Sequence, residues 1–292
     1  MSFRVIDIIQ QRLTLYKAAN AMEEEQATKE ILQEVALYSL WRGNFFDVAA
    51  FQGGTSLRIL YKLPRFSEDL DFILKEPTQR FDWESYLPHL RAGLQQFGLK
   101  SEVLDKSSMD RNIREAVLKD SSISNQLNLR FARPNVGPTL KIKLEIDVNP
   151  PQGSGFAYTY LDFPLDFELC HQDLPSNFSL KIHALLCRPY VKGRDWYDFG
   201  WYLRQKIKPN LPHLQAALHQ AGPWKDQRIH VTTQWIIEHL LAKIATIDWK
   251  SAAADVERFL GPDERASLSL WSEKFFAHKA TQLKLPHADD TI

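Results

Sequence analysis

Residues 139 to 148 read TLKIKLEIDV, and this unbroken alternation constrains the fold more than any other stretch. Leu140, Ile142, Leu144, Ile146 and Val148 fall on one face of an extended chain, and Lys141, Lys143, Glu145 and Asp147 fall on the other. A period of two predicts a β-strand with one face against a core. Pro150 and Pro151 end it, because proline cannot donate to a ladder. Such a strand needs partners. Leu70, Phe72 and Leu74 alternate with Asp69, Asp71 and Lys75, and Val48 to Phe51 is a short apolar run suited to a buried strand. Val103–Leu104 and the alternating Leu127, Leu129 and Phe131 read as further strands.

Helical spacing accounts for much of the rest. Residues 5–20, 23–42, 56–61 and 82–98 read as helices, the second carrying Ile31, Leu32, Val35, Ala36 and Leu40 at that spacing. Beyond residue 175 the chain turns to helices over 178–187, 194–206, 211–221, 230–246 and 251–276. The expectation is an α+β fold with an α/β core. Helices over 1–44 pack on that core, which spans 45–172, and a helical region covers 173–292.

Composition narrows the function classes. The formal net charge is +0, which argues against a protein whose main task is to coat nucleic acid, although not against a local basic groove. Cys170 and Cys187 have no metal-ligand spacing and read as reduced thiols. No stretch approaches the roughly 18 apolar residues of a membrane helix, and no apolar core of a signal peptide opens the chain, so a soluble cytoplasmic protein is expected.

The chemistry starts at Asp69 and Asp71. Carboxylates at i and i+2 on a strand point to one face, and magnesium typically takes one or two carboxylates plus substrate phosphates. An isolated pair would pass for a solvated strand face. This pair follows the run Gly53-Gly54-Thr55-Ser56, set between an apolar strand and a helix. Glycines let a phosphate approach the backbone, a helix N-terminus adds N–H groups and a positive dipole end, and Thr55 and Ser56 add hydroxyls. On the strand 140–148, Glu145 and Asp147 share a face. A third carboxylate there would complete a metal site or act as general base. The spacing does not choose between them; Glu145 is grouped with Asp69 and Asp71 as the metal set, with Asp147 the alternative.

A last constellation lies in SLKIHALLCRPYVKGRDWYDFGWYL, residues 179 to 203. Lys181 and Arg188 fall on one helical face, Lys192 and Arg194 lie in the break made by Pro189 and Gly193, and Asp195 and Asp198 open the next helix. Triphosphate transfer needs cations beside the metal. Lys181 is the first candidate and Arg188, Lys192 and Arg194 follow. Helix capping with a surface ion pair is the structural alternative for Asp198. Trp196, Tyr197, Trp201 and Tyr202 read as core packing.

The run FQGGTSLRILYKLPRFSEDLDF (51–72) resembles the signature of the AbiEii/AbiGii-type nucleotidyltransferase toxins, and the segment from Lys181 to Asp198 resembles their later motif. The resemblance spans about residues 28 to 205. It implies a minimal polymerase-β-like nucleotidyltransferase with a mixed sheet, flanking helices and a C-terminal helical region that completes the nucleotide site. It implies NTP as substrate, Mg²⁺ or Mn²⁺ as cofactor, a cognate antitoxin protein as partner and, as in some members, the acceptor end of tRNA as target. By position, Gly53, Gly54 and Thr55 would hold phosphates, Asp69 and Asp71 metal, and Lys181 the nucleotide phosphates, with Asp195 a late catalytic or structural acid. Gln52 stands where the family often has a lysine, a departure that leaves the glycines and acids intact. The expected function is NMP transfer from NTP to RNA. A protein or small-molecule acceptor, or a non-catalytic nucleotide-binding partner, is the alternative.

Overall fold

The computed structural model describes residues 5–108, 111–131 and 139–284, which fall into two compact units. The first takes the described residues of Met1–Lys62, Phe66–Pro150 and Ala157–His171; the second takes those of Leu63–Arg65, Pro151–Phe156 and Gln172–Ile292.

The first unit opens with helices α1 (Val5–Leu15), α2 (Ala21–Arg42) and the short α3 (Phe45–Val48). Strand β1 (Ala49–Gln52) then runs straight into α4 (Gly53–Tyr61), followed by β2 (Leu70–Leu74), α5 (Leu87–Gln96), β3 (Ser101–Asp105), β4 (Ile113–Asp120), the one-turn α6 (Ile123–Gln126), β5 (Leu140–Asp147), β6 (Phe156–Leu161) and β7 (Phe167–Gln172). The strands form one seven-stranded mixed sheet in the order β3-β4-β5-β2-β1-β7-β6. β2 runs antiparallel to β1 and parallel to β5, so the acidic ends of two sequence-distant strands become neighbours.

Helix α2 holds this unit together. Every residue from Glu30 to Leu40 is buried, the mark of a helix covered on all sides rather than along one stripe. Ile31, Leu32, Val35, Leu37 and Leu40 are wholly enclosed, each stabilising by about 1.5–3 kcal/mol relative to exposure. Its buried charged residues find partners: Glu34 accepts from Arg12, and Glu30 from Tyr16 and Arg58, while the Gln33 amide N–H donates to the Ser67 carbonyl. On the sheet side Phe45 packs edge-on to Phe72 and stacks on Trp83, with Phe81 and Tyr86 completing an aromatic core.

The second unit holds α7 (Leu174–Cys187), α8 (Gly193–Arg204), α9 (Leu211–Gln220), α10 (Thr233–Ile244), α11 (Trp249–Glu257), α12 (Pro262–Ala266) and α13 (Glu273–Thr281). Trp196, Trp249 and Phe276 form its aromatic centre, and Trp196, Tyr197, Trp201 and Tyr202 are all buried, as packing residues should be. Gly193 opens α8 where a Cβ would meet the Ala252 carbonyl at 1.9 Å, so only glycine allows α8 and α11 to approach this closely.

Several expectations are corrected. Residues 127–131 are not a strand; the strand is β4, just upstream, which the alternation hides because Arg114 and Asp120 point inward and are 1% exposed. The terminal nitrogens of Arg114 donate there to the Ser108 carbonyl and Gln79, and Asp120 accepts from the N–H groups of Ser122 and Ile123. β7 shows no period because nearly every residue in it is buried, and β6 keeps Tyr158 and Tyr160 exposed. The helix expected over 251–276 breaks at Gly261–Pro262, where proline takes the first turn of α12. A 3₁₀ turn at Trp83–Ser85 precedes α5. The cysteines are free, and among the described residues no helix is long and apolar enough to cross a membrane.

Candidate active site

The glycine pair is the first turn of α4, not a loop before it. Gly53 has φ +76°, and a Cβ built on it would lie 2.5 Å from the Asp71 Oδ2 and 3.1 Å from the Asp71 Cβ. Two independent reasons therefore demand glycine: the left-handed backbone and the carboxylate occupying the space of a methyl group. The antiparallel register, Gln52 opposite Asp71, sets this approach. Gln52 makes no side-chain cap to α4. Thr55 is fully buried and its hydroxyl donates to the Asp69 carbonyl, while the Ser56 hydroxyl donates to the Gly53 carbonyl at 2.8 Å. Both hydroxyls thus tie the glycine turn to the acidic strand. Gly54 is half-buried.

Asp69 and Asp71 are half-buried at the start of β2, between core residues such as Leu70 and Phe72. The parallel register places Glu145 beside Asp71 and Asp147 beside Ile73. On its other side Glu145 faces Glu115 of β4. Lys143 lies between these two glutamates, 3.2 Å from Glu115 and in contact with Glu145, and relieves their repulsion. Asp147 accepts the Asn149 N–H at 2.9 Å, and burial pushes its carboxyl above the usual range. Among the described residues no three acidic, histidine or cysteine side chains close into a metal-binding group. The donors that fit a hard divalent cation are Asp69 and Asp71, a set that magnesium completes with substrate oxygens; Glu145 is their neighbour in register.

The second unit gathers the later motif. The Lys181 ammonium on α7 lies 2.7 Å from Asp195 and 2.9 Å from Asp198, both on α8. Arg65 grips Asp198 with two parallel bonds of 2.6 Å, and Arg188 reaches Asp195 at 2.5 Å. Burial opposes ionisation of both aspartates, but Lys181 with Arg188 at Asp195, and Arg65 with Lys181 at Asp198, overcome it and lower both pKa values. Burial would lower the Lys181 pKa, and the two aspartates raise it instead. Lys192 is lowered by burial and by neighbouring Arg188. Asp198 is not a surface cap: it is 0% exposed and paired on two sides. Arg65 had no signal of its own in the sequence. The clue was Asp198, a charge set within WYDFGWYL, which burial would force to find a cation. Arg194 lies over the Phe259 ring at 4.4 Å.

Residues 35–276 match the family model described as nucleotidyl transferase AbiEii toxin, type IV TA system. Two solved structures from Helicobacter pylori are similar in outline. One, a nucleotidyltransferase by name only, is 14% identical with a TM-score of 0.48, over 89% of this chain and 96% of that one. The other, JHP933, is 15% identical with a TM-score of 0.47, over 89% of each chain. No curated protein matches. The family match covers most of the chain and contains both the glycine–aspartate turn and the buried lysine–aspartate cluster, and the chain belongs to the AbiEii family of nucleotidyltransferase toxins of type IV toxin–antitoxin systems.

Proposed function

We propose that this protein transfers a nucleoside monophosphate from an NTP to RNA, with the 3′ end of tRNA as acceptor. The observation that carries the reading is Gly53 held against Asp71, with Glu145 next in register. The backbone of Gly53 and Gly54, at the N-terminal end of α4, receives phosphates, and Thr55 and Ser56 hold that turn in place. Asp69 and Asp71 hold Mg²⁺ or Mn²⁺, with Glu145 as the third acid; the metal supplies charge stabilisation at the transferring phosphoryl oxygens. Asp147, whose raised pKa suits a proton acceptor, is the alternative for taking the proton of the attacking hydroxyl. The acceptor hydroxyl bonds to the α-phosphorus, the bond from that phosphorus to the β-bridging oxygen breaks, and pyrophosphate leaves. Lys181, Arg188 and Lys192 are the candidates for offsetting phosphate charge by their place in the family's later motif, and within their own unit Asp195 holds Lys181 and Arg188 in place. A cognate antitoxin is the expected partner.

The test is transfer from α-labelled and γ-labelled NTP to total RNA, by wild type and Asp69→Ala in parallel. Label from the α position on RNA, lost in the variant, is the expected result. Label from the γ position alone would make the enzyme a kinase. Label on a protein or small molecule would move the acceptor away from RNA.

A further inference from the structure

A second charged site lies in the first unit, apart from the acidic strands. Arg12 and Tyr16 of α1, Glu30 of α2, and Arg58 and Lys62 at the far end of α4 line an open pocket of about 200 Å³, with Leu15 as its apolar wall. The volume decides the kind of ligand. Pockets that enclose a whole drug-sized molecule run to about 300–1,000 Å³, so this one suits a single group rather than a nucleotide.

Its cations are held in place. Arg58 donates to Glu30 at 2.8 Å and lies over the Phe66 ring at 4.3 Å. Arg12 donates to Glu34 at 3.1 Å and lies over the Phe163 ring at 4.9 Å. Each guanidinium is thus oriented by a carboxylate at one edge and a ring at one face, which lowers the entropy lost when a ligand binds. Tyr16 steadies Glu30 at 3.0 Å. Lys62 caps α4 with φ +57°. Three cations, Arg12, Arg58 and Lys62, meet here, with Glu30 and Glu34 as their hydrogen-bonded or nearby carboxylates and Asp162 acting on Arg12 from further off.

A planar arginine fork matches phosphate oxygens, and an ammonium adds a point charge. The pocket offers no set of groups to read a base. Contacts of this kind position a nucleic acid without specifying its sequence. Helix α4 connects the two sites: it rises about 12 Å from Gly53 to Tyr61, at about 1.5 Å per residue.

We propose that this pocket seats a backbone phosphate of the acceptor RNA, so that Arg12, Arg58 and Lys62 position the strand whose end reacts at the Gly53–Asp71 turn. The proposal rests on RNA being the acceptor.

Binding of tRNA to the full chain, followed by fluorescence anisotropy across a salt series, tests it, with NTP affinity measured separately. Lys62→Asn removes the charge and keeps a residue tolerant of the left-handed backbone. The expected result is several-fold weaker RNA binding, a log K against log salt slope shallower by about 0.7–0.9, and NTP affinity as in wild type. Arg58→Lys keeps the charge facing Glu30 and loses the fork; it should weaken RNA binding with little change in slope. Weakened NTP binding with RNA binding intact would give the pocket to a free triphosphate and overturn the proposal. Unchanged RNA affinity and slope in both variants, with α-label still reaching RNA, would overturn the pocket alone. A wild-type chain that neither binds nor labels RNA would overturn the pocket and the acceptor together.

Discussion

Both units cluster carboxylates and cations, and they hold them in opposite ways. In the first, Asp69, Asp71 and Glu145 lie half-buried along neighbouring strands, with Lys143 bridging Glu145 and Glu115 at the side. In the second, Asp195 and Asp198 are enclosed and gripped by Lys181, Arg65 and Arg188. Carboxylates that keep part of their hydration can exchange it for a metal ion or phosphate-bound water at modest cost. Carboxylates that have already surrendered it depend on their partners, because an unpaired buried charge costs several kcal/mol. The first cluster is therefore suited to chemistry, and the second is a structural lock that also carries charge.

The comparison is broken most sharply at Asp198. Replacing it with alanine leaves Arg65 and Lys181 buried without their common partner and should cost about 3–5 kcal/mol, read by urea unfolding. A loss below about 1 kcal/mol would show that the cluster is no lock. Asp71→Asn should do the reverse: transfer to RNA falls by about two orders of magnitude or more, while stability moves by less than about 1 kcal/mol. If it unfolds the protein as Asp198→Ala does, the two clusters do not differ in kind. Gly53→Ala sits between them. The left-handed backbone alone costs about 1–2 kcal/mol, and the new methyl displaces Asp71, so activity should fall further than stability. Equal losses in both would mean that the turn is merely structural.

Acid separates the regions more finely. Asp195 and Asp198 have folded pKa values below the ordinary 3.8, so their contribution to stability is present above that value and is lost as pH falls through the depressed ones. Glu34, under α2, has the opposite sign. Burial pushes it from 4.5 to about 7, against the Arg12 guanidinium, so its contribution is complete below 4.5 and declines as pH rises through about 7. Hydrogen exchange should show α2 gaining protection from pH 8 to 5, and α7 and α8 losing it only below about 4. Glu34→Gln should flatten the first trend; a trend that persists in that variant would assign it to another group.

The strands bearing the acids were legible because their chemistry and their burial coincide: β5 alternates cleanly, and Asp69 and Asp71 flank core residues. Strands β4 and β7 were not, because burial there departs from residue type, with Arg114 and Asp120 turned inward and β7 covered on both faces. The candidate site divides in the same manner. Gly53, Gly54, Asp69 and Asp71, and the pair Glu145 and Asp147, could be read from local spacing. Register was needed to put Glu145 rather than Asp147 beside Asp71, and Arg65 meets Asp198 across 133 residues of chain, which no window of sequence reveals.

The enclosed helix α2 also sets an order in time. It packs on α5 and β5, so the surface it must cover includes a strand that begins at Leu140. A ribosome adds roughly 5–20 residues per second, and about a hundred residues separate the end of α2 from the end of β5. For about 5–20 s a nascent chain therefore carries a helix that α1 and α5 cover early and β5 covers last, and only when β5 has emerged can Glu145 take its place beside Asp71. A truncated translation product that stops short of β5 would lack part of the cover of α2 and the β5 residue that stands beside Asp71, so the last piece of the helix's packing and the neighbour of the acidic strand arrive together.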